Sequence, residues 1–249
     1  MKIVTFIVNM EKDSAKKEQI QCDLIKYTDL DIHFIKAIEG GKLSADEISR
    51  LVDLNNFKKR YANLATLPAL GCSLSHISVY DIIEKSDINI ALVLEDDASL
   101  SNNFTQYLTP IINWLNIQTQ PIVILLSPDF SYNKYSHSPF STHNHKVVKV
   151  HHGQMTSGYL INQSAAILLN KKLRPVRYLA DDWDIMKIWG LNILGVVPNI
   201  TNCPIELGEI GLSQSPANII PENWISKLRN KLLFRMRYFK GIRYSRRSW

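Results

Sequence analysis

The most constraining feature of this sequence is an apolar run that ends in three consecutive carboxylates. The run from Ile88 to Leu94 is interrupted only by Asn89, and Glu95, Asp96 and Asp97 follow it directly. A short apolar run bounded by polar residues predicts a strand buried on both faces, and such strands belong mostly to parallel sheets in α/β proteins. We therefore expect the three acids at the carboxyl end of a buried strand.

The three acids also carry a chemical expectation. On an extended chain Glu95 and Asp97 point to one side and Asp96 to the other. Neighbouring carboxylates repel each other, and solvent, basic partners or a divalent cation relieves that repulsion. Hard oxygen ligands select magnesium, manganese or calcium. The residues alone leave open a simpler alternative, in which a polar strand end turns into solvent.

Length and composition describe a globular chain. Its 249 residues, 45% hydrophobic and 21% charged, fit one large domain better than two. The three cysteines, Cys22, Cys72 and Cys203, are widely spaced without a C-x-x-C pair, so neither a disulfide framework nor a thiolate zinc site is indicated. A reducing cytoplasm is the expected compartment. No apolar run approaches the roughly 20 residues that cross a bilayer, and the amino terminus predicts a first strand rather than a secretory signal.

The charge is unevenly distributed. The net charge is +6, yet the segment from Lys227 to the end holds nine Lys or Arg and no Asp or Glu. The other 226 residues hold 20 basic and 23 acidic side chains, so the body is mildly acidic and the tail strongly basic. Leu228, Leu232, Met236 and Phe239 recur in this tail at helical spacing. That pattern is typical of an interfacial helix attracted to anionic lipid.

Hydrophobic periodicity predicts alternating strands and helices along the rest of the chain. Ser44 and Glu47 have the spacing of a capping box, so a helix is expected to begin there. The Ser-, Asn- and His-rich stretch 127–145 predicts a long surface loop or hairpin. The predicted strands cover 3–8, 32–38, 88–94, 121–126, 146–150, 158–161 and 193–197. The predicted helices cover 12–28, 71–86, 104–115 with an interruption or a bend near Pro110, 163–171 and 183–190.

Five segments together resemble glycosyltransferase family 25, the family of bacterial lipooligosaccharide galactosyltransferases. They are "VNMEKDSAKKEQI", "KAIEGGKLS", "PALGCSLSHISVYDIIEK", "ALVLEDDASL" and "SGYLINQSAAILL", and the resemblance spans about residues 3 to 212. It implies a GT-A-type α/β fold with a mixed, mostly parallel sheet flanked by helices. We expect this domain over residues 1–220, and the charge distribution predicts a basic tail at 221–249. It also implies a UDP-sugar donor, a divalent cation (Mn²⁺ or Mg²⁺) and inverting transfer of galactose to a lipooligosaccharide sugar.

The resemblance gives the three acids a role. Expelling a nucleoside diphosphate builds negative charge on the leaving oxygen, and a bound cation neutralises it. Glu95 and Asp97 are the expected metal ligands, and Asp96 is expected to face the ribose or sugar of the donor.

The same resemblance predicts further contacts to the donor. His76 has an alternative reading, as a buried histidine that is satisfied by hydrogen bonds. The family often carries arginines after the first strand, but this chain has Glu11 to Ser14 there, so arginine contacts to phosphate or uracil do not carry over. The expected donor-binding residues besides Glu95 and Asp96 are Val8, Asn9, Ala37, Ile38, Glu39, Ser75, His76, Ser157, Gly158 and Tyr159.

An inverting transferase needs a general base for the attacking hydroxyl. The segment "LADDWDIM" offers Asp181, Asp182 and Asp184, and Asp181 or Asp182 is the predicted base. The alternative for each of them is an acid that is favoured by the dipole at a helix start. Trp183 is expected either to stack on a sugar face or to belong to the core.

The histidines of the second half are expected in an acceptor-binding loop, with one of them completing the metal shell. A zinc site built from them would lack a helical H-x-x-x-H pair and a thiolate. These histidines are His137, His143, His145, His151 and His152.

Several functional alternatives remain at this point. A relative that transfers glucose from UDP-glucose differs in one hydroxyl orientation of the donor. A catalytically silent carbohydrate- or nucleic-acid-binding protein could use the same fold. The basic tail favours a membrane surface bearing a lipid-linked acceptor over nucleic acid, because no nucleic-acid-binding motif accompanies it. The expected location is therefore cytoplasmic and peripheral on the inner face of the membrane.

Overall fold

The computed structural model describes residues 2–62, 65–202 and 242–244. A short 3₁₀ turn at Gly40–Lys42 lies between the second strand and the second helix. The strands are β1 Ile3–Asn9, β2 Leu30–Lys36, β3 Ile90–Glu95, β4 Ser99–Leu100, β5 Ile122–Leu125, β6 Phe130–Asn133, β7 Phe140–Ser141, β8 Lys146–Gly153, β9 Gly158–Asn162, β10 Asn192–Val197, β11 Thr201–Asn202 and β12 Ile242–Tyr244. The helices are α1 Ser14–Leu24, α2 Ala45–Leu51, α3 Leu54–Tyr61, α4 Leu67–Glu84, α5 Phe104–Asn116, α6 Gln163–Leu173 and α7 Trp183–Ile188.

One large sheet organises the molecule. Its strand order is β12-β6-β8-β10-β5-β9-β3-β1-β2, with β7 paired to β8. β1 pairs in parallel with β2 and β3, and β5 pairs in parallel with β10. β9 runs antiparallel between β3 and β5, so β2, β1, β3, β5 and β10 share one direction. The predicted fold class, a mixed and mostly parallel sheet flanked by helices, is confirmed.

Helices cover both faces of this sheet. On β3, Ala91 and Val93 belong to a core that contains residues of α3, α4, α6 and α7. Leu92 and Leu94 belong to a second core, which contains residues of α1 and α5. All four of these side chains have no exposed surface, and burying a Leu or Val contributes roughly 1.5–3 kcal/mol. The prediction that this strand is buried on both faces is therefore confirmed.

Close glycine contacts fix the position of α4. The helix begins after Thr66, whose side chain accepts a hydrogen bond from the amide of Ala69, and a proline occupies its first turn. A Cβ on Gly71 would lie 2.3 Å from the carbonyl oxygen of Ile38, and one on Gly40 would lie 1.7 Å from the carbonyl oxygen of Leu67. Only hydrogen at these positions lets the chain after β2 lie directly against α4.

Most predicted elements are confirmed, and the capping box of Ser44 and Glu47 is present at the start of α2. Besides β4, β11 and β12, which no pattern predicts, three features differ from the predictions. α3 was not predicted, because Phe57 is its one buried residue. α4 begins at Leu67 rather than residue 71, since Pro68 lies in the first turn, where a proline is tolerated. The stretch 127–145 contains β6 and β7, so part of the expected loop belongs to the sheet.

The basic tail is described only at 242–244. There β12 pairs antiparallel with β6, so this part of the predicted tail adds a strand to the sheet. The expected interfacial helix around Leu228 to Phe239 lies outside the described residues. Among the described helices, none is both long and apolar enough to span a bilayer.

Candidate active site

The three acids lie where β3 ends at the carboxyl edge of the sheet. β3 ends at Glu95, and Asp96 and Asp97 form a turn in which the amide of Ala98 donates to the carbonyl oxygen of Glu95 at 3.1 Å. The predicted alternation of side chains is therefore wrong beyond Glu95, because the backbone turns instead of continuing as a strand. Asp97 is half-buried in this turn.

Glu95 is held by groups from two other parts of the chain. Its Oε1 atom lies 3.3 Å from Nε2 of His76 in α4, and it accepts a hydrogen bond from the Thr156 hydroxyl at 2.5 Å. Burial acts to raise the pKa of Glu95, but the hydrogen bond and charge of His76, followed by the hydrogen bond from Thr156, hold that pKa below its usual value. Glu95 is therefore ionised at neutral pH.

Asp96 contacts the end of the neighbouring strand. Its Oδ2 atom accepts a hydrogen bond from the side-chain amide of Asn9 at 2.7 Å, and Nζ of the half-exposed Lys16 lies 3.9 Å from its Oδ1 atom. Burial raises the pKa of Asp96, and the charges of Asp13 and Glu95 add to that rise. Negative charge is thus crowded at this edge.

The end of β1 and the segment after β2 form the neighbouring part of the same edge. The carbonyl oxygen of Asn9 accepts a hydrogen bond from the amide of Ala37 at 2.8 Å, which joins the two segments. Val8 is buried, and Ala37 and Ile38 are half-buried. The carboxylate of Glu39 pairs with Lys42 at 2.8 Å.

Ser75 and His76 both lie on α4, and their side chains contact different parts of the chain. The Ser75 hydroxyl accepts from the amide of Ile38 at 2.8 Å and donates to the carbonyl oxygen of Gly71 at 2.7 Å. Both contacts are to backbone, so Ser75 ties α4 to the segment after β2. His76 is 1% exposed, and its Nδ1 atom lies 2.8 Å from the hydroxyl of Tyr159.

The segment that leads into β9 passes beside Glu95. The amide of Glu95 donates to the carbonyl oxygen of Ser157 at 3.2 Å. The Ser157 hydroxyl is buried and has no hydrogen-bond partner among the described residues. A Cβ on Gly158 would lie 2.9 Å from Oγ1 of Thr201, so within the described residues this glycine accommodates Thr201. Tyr159 is fully buried.

Of the two predicted bases, Asp181 has fewer hydrogen bonds and ion pairs to its side chain. Its Oδ2 atom accepts a hydrogen bond from the amide of Met155 at 3.0 Å. Burial raises its pKa, and the charges of Glu95 and Asp182 contribute to the rise. A carboxylate with a raised pKa binds a proton more readily when it is ionised, which suits a general base.

Asp182 and Asp184 are engaged in contacts that hold α7. Asp182 caps the helix by accepting from the amide of Ile185, and its Oδ2 atom also accepts from Arg60 at 2.7 Å and from the Tyr61 hydroxyl. Asp184 pairs with Lys187 and with His152. These contacts favour the helix-start alternative for both residues.

Trp183 belongs to the core. The side chain has no exposed surface, and its indole nitrogen donates to the carbonyl oxygen of Met155 at 3.0 Å. Its ring meets the ring of Tyr159 edge-on at 5.6 Å. The stacking alternative therefore does not describe this residue.

Comparison with known proteins assigns the family. The sequence model of glycosyltransferase family 25, described as a family of LPS biosynthesis proteins, matches residues 2–184. The chain belongs to glycosyltransferase family 25. A "Glycosyltransferase 25 family member" of Drosophila pseudoobscura pseudoobscura is 23% identical over 111 residues, which cover 43% of this chain and 18% of the fly protein.

Two solved structures show distant likeness to this family 25 chain. One is a Bacillus anthracis protein named as a glucose-1-phosphate thymidylyltransferase, in complex with sucrose: 11% identity, TM-score 0.44, 91% of this chain and 99% of that one. The other is the galactosyltransferase LgtC with donor and acceptor sugar analogues: 10% identity, TM-score 0.37, 90% of this chain and 100% of that one. Because both TM-scores are below 0.5, the assignment rests on the family match.

Two residues that the sequence did not point to lie beside Glu95 in this family 25 chain. Thr156 contacts Glu95 across 61 residues of sequence, and no local pattern marks such a hydroxyl. Cys72 lies beside His76 and Glu95, and the ligand atoms of the three lie within 4.8 Å of one another. The i and i+4 spacing of Cys72 and His76 on a helix is the one signal that could have paired them. The expectation that the cysteines indicate no thiolate zinc site is not tested by this arrangement and stays a prediction.

The histidines of the second half have separate surroundings. The ring of His145 lies 4.0 Å from the ring of Tyr107, and His152 pairs with Asp184. The carbonyl oxygen of His151 accepts a hydrogen bond from Lys187 at 2.7 Å. His151 and His152 lie in β8, so the expected loop is wrong for these two residues. A role in binding the acceptor stays a prediction for all five histidines.

Proposed function

We propose that this chain is a metal-dependent inverting glycosyltransferase that moves galactose from UDP-galactose to a hydroxyl of a lipooligosaccharide or lipopolysaccharide sugar. The observation that carries the proposal is the position of Glu95, Asp96 and Asp97 at the carboxyl edge of β3 in a chain of family 25. In open α/β sheets, ligands bind outside the carboxyl ends of the strands.

The carboxylates at this edge have the chemistry of a divalent-cation site. Glu95 is kept ionised, as a ligand must be, and its oxygen atoms and those of Asp97 are the hard ligands that Mn²⁺ or Mg²⁺ prefers. The crowded negative charge around Asp96 is a second reason for a cation to bind. Glu95 and Asp97 would hold the ion, which supplies charge balance for the departing diphosphate.

The donor would lie along the edge formed by the ends of β1 and β3. Asn9 orients Asp96 through its 2.7 Å hydrogen bond, so the carboxylate can accept from a hydroxyl of the ribose or sugar. Val8 and residues 37–39 would border the nucleoside. The expected donor-binding residues Ser75, His76, Gly158 and Tyr159 are buried. We propose that they hold the strand ends in place rather than contact the donor. Ser157 would form a hydrogen bond to the donor through its hydroxyl.

Asp181 is the base that we propose for the acceptor hydroxyl. The amide of Met155 fixes its carboxylate, and burial raises its affinity for a proton. Asp182 is the weaker candidate, because Arg60, Tyr61 and the start of α7 engage its oxygens. In-line transfer requires the base on the side of the sugar opposite the leaving diphosphate.

The activity is tested by incubating the protein with labelled UDP-galactose or UDP-glucose, in the presence of manganese or of EDTA. We expect manganese-dependent release of UDP with UDP-galactose. A preference for UDP-glucose would make this chain a glucosyltransferase of the same family. No turnover with either donor would favour a binding protein without catalysis.

A matched pair of variants tests the metal site. Asp97→Asn should abolish manganese-dependent turnover, because an amide does not balance the charge of the ion. Asp87→Asn is the control, since Asp87 is exposed just before the opposite end of β3. Circular dichroism shows whether both variants fold. Full activity of folded Asp97→Asn would remove the metal assignment.

We also propose that the basic tail brings the enzyme to anionic lipid that carries the acceptor, on the inner face of the cytoplasmic membrane. Flotation with liposomes, with and without anionic lipid, compares the full chain with protein truncated after Trp224. We expect only the full chain to float with anionic liposomes. Equal flotation of both proteins would show that the tail does not bind the membrane. Binding of the full chain to nucleic acid, without flotation, would favour nucleic acid as the partner of the tail.

A further inference from the structure

A cluster of metal-ligating side chains lies at the carboxyl edge of the sheet, beside the end of β3. It combines a thiol, an imidazole and a carboxylate. Cys72 and His76 are one turn apart on α4, so both side chains face the end of β3. There they meet Glu95, and the sulfur, nitrogen and oxygen ligand atoms all lie within 4.8 Å of one another.

The spacing of two of these atoms matches that of ligands around one ion. Nε2 of His76 and Oε1 of Glu95 are 3.3 Å apart. In a tetrahedral zinc site the bond lengths of about 2.0–2.2 Å to nitrogen and oxygen separate two such ligands by roughly 3.4 Å. The imidazole and the carboxylate therefore already have the separation that shared coordination needs.

The hydrogen bonds behind His76 orient its ring for ligation. Nδ1 lies 2.8 Å from the Tyr159 hydroxyl, and that hydroxyl donates to the Tyr80 hydroxyl at 3.1 Å. Nδ1–H then donates to Tyr159, and Nε2 is the ring nitrogen directed at Glu95. Metal-ligating histidines are held in this way, with the second ring nitrogen bound to an oxygen acceptor.

This arrangement directs Nε2 of His76 at a carboxylate oxygen of Glu95 across 3.3 Å, so a positive group must lie between the two atoms. A second proton on the imidazole would supply it, and so would a metal ion. The sulfur of Cys72 adds a third ligand atom, which a metal ion uses and a proton does not.

We propose that Cys72, His76 and Glu95 form a site for a borderline-soft divalent ion of the Zn²⁺ class. Three ligands of the thiolate, imidazole and carboxylate types suit Zn²⁺ and its spectroscopic substitute Co²⁺, whereas Mg²⁺ favours oxygen ligands alone. Burial and the charge of Glu95 raise the pKa of the Cys72 thiol, so an ion that binds there must displace the thiol proton. The Glu95 side chain is 24% exposed. Occupancy of this site engages Glu95, so Zn²⁺ competes with the cation of the proposed transferase reaction.

The test uses the full-length reduced protein without nucleotide or sugar, so its outcome is independent of transferase activity. Titration with Co²⁺ should give one bound ion per chain, with a thiolate-to-cobalt charge-transfer band, and Zn²⁺ should abolish the band by displacement. Mg²⁺ should not displace the cobalt.

Two cysteine variants provide the matched comparison. Cys72→Ser should lose the charge-transfer band and bind Zn²⁺ more than about tenfold more weakly, since even the loss of a supporting contact costs 10–100-fold. Cys22→Ser should behave as wild type, because Cys22 is exposed on α1. Circular dichroism shows whether the variants fold. If Cys72→Ser does not fold, the cobalt charge-transfer band of the wild-type protein alone tests the proposal.

The proposal is overturned if wild-type protein gives no charge-transfer band on titration with Co²⁺, or if folded Cys72→Ser keeps the wild-type band and affinity. Loss of transferase activity in any variant, with the band retained, bears on the proposed function and leaves this site in place.

Discussion

The chain contains two acidic clusters that look alike in sequence and differ in their surroundings. Glu95–Asp97 follow a buried strand, and Asp181–Asp184 lead into a short helix. At the helix, Asp182 contacts Arg60 and Asp184 contacts Lys187, each at an N–O distance below 3 Å. At the strand end Asn9 and Thr156 supply neutral donors. Nε2 of His76 lies 3.3 Å from Glu95, and Lys16 stays 3.9 Å from Asp96.

Acids that stabilise a fold can thus be distinguished by their charged partners from acids that are available to a ligand. Carboxylates at the helix start have their charge balanced inside the protein, which stabilises the fold. At the strand end, negative charge accumulates at an edge where ligands of α/β proteins bind. Asp181 is the exception within the helix cluster, because its described contact is a backbone amide and its pKa is raised by burial.

The largest expected effect comes from neutralising one acid in each cluster. Glu95→Gln should lower turnover of UDP-galactose by about a thousandfold, since transition-state charge loses its compensation. Asp184→Asn should stay within about threefold of wild type, because only surface contacts change. Steady-state UDP release with manganese measures both. Equal losses in the two variants would end the distinction between the clusters.

The next effect is on the helix that supports the strand-end cluster. Gly71→Ala should lower the free energy of unfolding by about 3 kcal/mol, because its Cβ would lie 2.3 Å from the carbonyl oxygen of Ile38. Gly41→Ala is the control, since nothing lies within 4 Å of its added Cβ. Urea denaturation of both variants checks this. A Gly71→Ala protein as stable as the control would mean that α4 moves away easily.

A smaller effect is expected at the helix start. Asp182→Ala should cost about 2 kcal/mol of unfolding free energy, because it removes the cap of α7 and leaves Arg60 and Tyr61 without their acceptor. Asp87→Ala, at an exposed site, should stay within about 0.5 kcal/mol. Equilibrium denaturation in urea measures the pair. An unchanged midpoint for Asp182→Ala would contradict the structural role.

The smallest effect has opposite signs at two neighbouring acids. The pKa of Asp181 is raised in the folded chain, so its ionised form costs stability once the pH exceeds the usual Asp value of about 4. Asp181→Asn should therefore stabilise the fold at pH 7, while lowering turnover if Asp181 is the base. The pKa of Asp184 is lowered, so its contribution is present above the same value and lost as the pH falls.

Asp184→Asn should accordingly destabilise the fold at pH 7, by less than about 0.5 kcal/mol after solvent screening. Thermal unfolding between pH 3 and pH 7 compares the two variants. If Asp181→Asn destabilises the fold at pH 7, the negative charge of Asp181 is balanced inside the protein, as it is for Asp182 and Asp184. Asp181 would then not differ from the other acids of its cluster.

The sequence predicted the elements whose signal is local. Apolar runs such as Ile122–Leu125 form central strands with both faces buried, and the capping box at Ser44 needs only two side chains three residues apart. α3 and β6 were missed because α3 offers one buried residue and β6 mixes Ser and Asn with aromatic residues. Their stability comes from packing partners that are distant in sequence.

The candidate site shows the same division. The acids at 95–97 were found because they follow a strand directly, which is a local pattern. The partner of Asp182 in α3 lies more than a hundred residues away, and Thr156 and Cys72 meet Glu95 only in the folded chain. Helical spacing placed Ser75 on α4, but only the fold shows that its hydroxyl is used by backbone groups.

The role of Asp97 in holding a cation for the donor is measured by the affinity of the protein for UDP, using calorimetry with manganese and with EDTA. We predict that wild-type protein and Asp184→Asn bind UDP more than about tenfold more tightly with manganese. In Asp97→Asn this dependence on manganese should be lost. Equal UDP affinity with and without manganese in the wild type, or an unchanged manganese dependence in Asp97→Asn, would contradict the account.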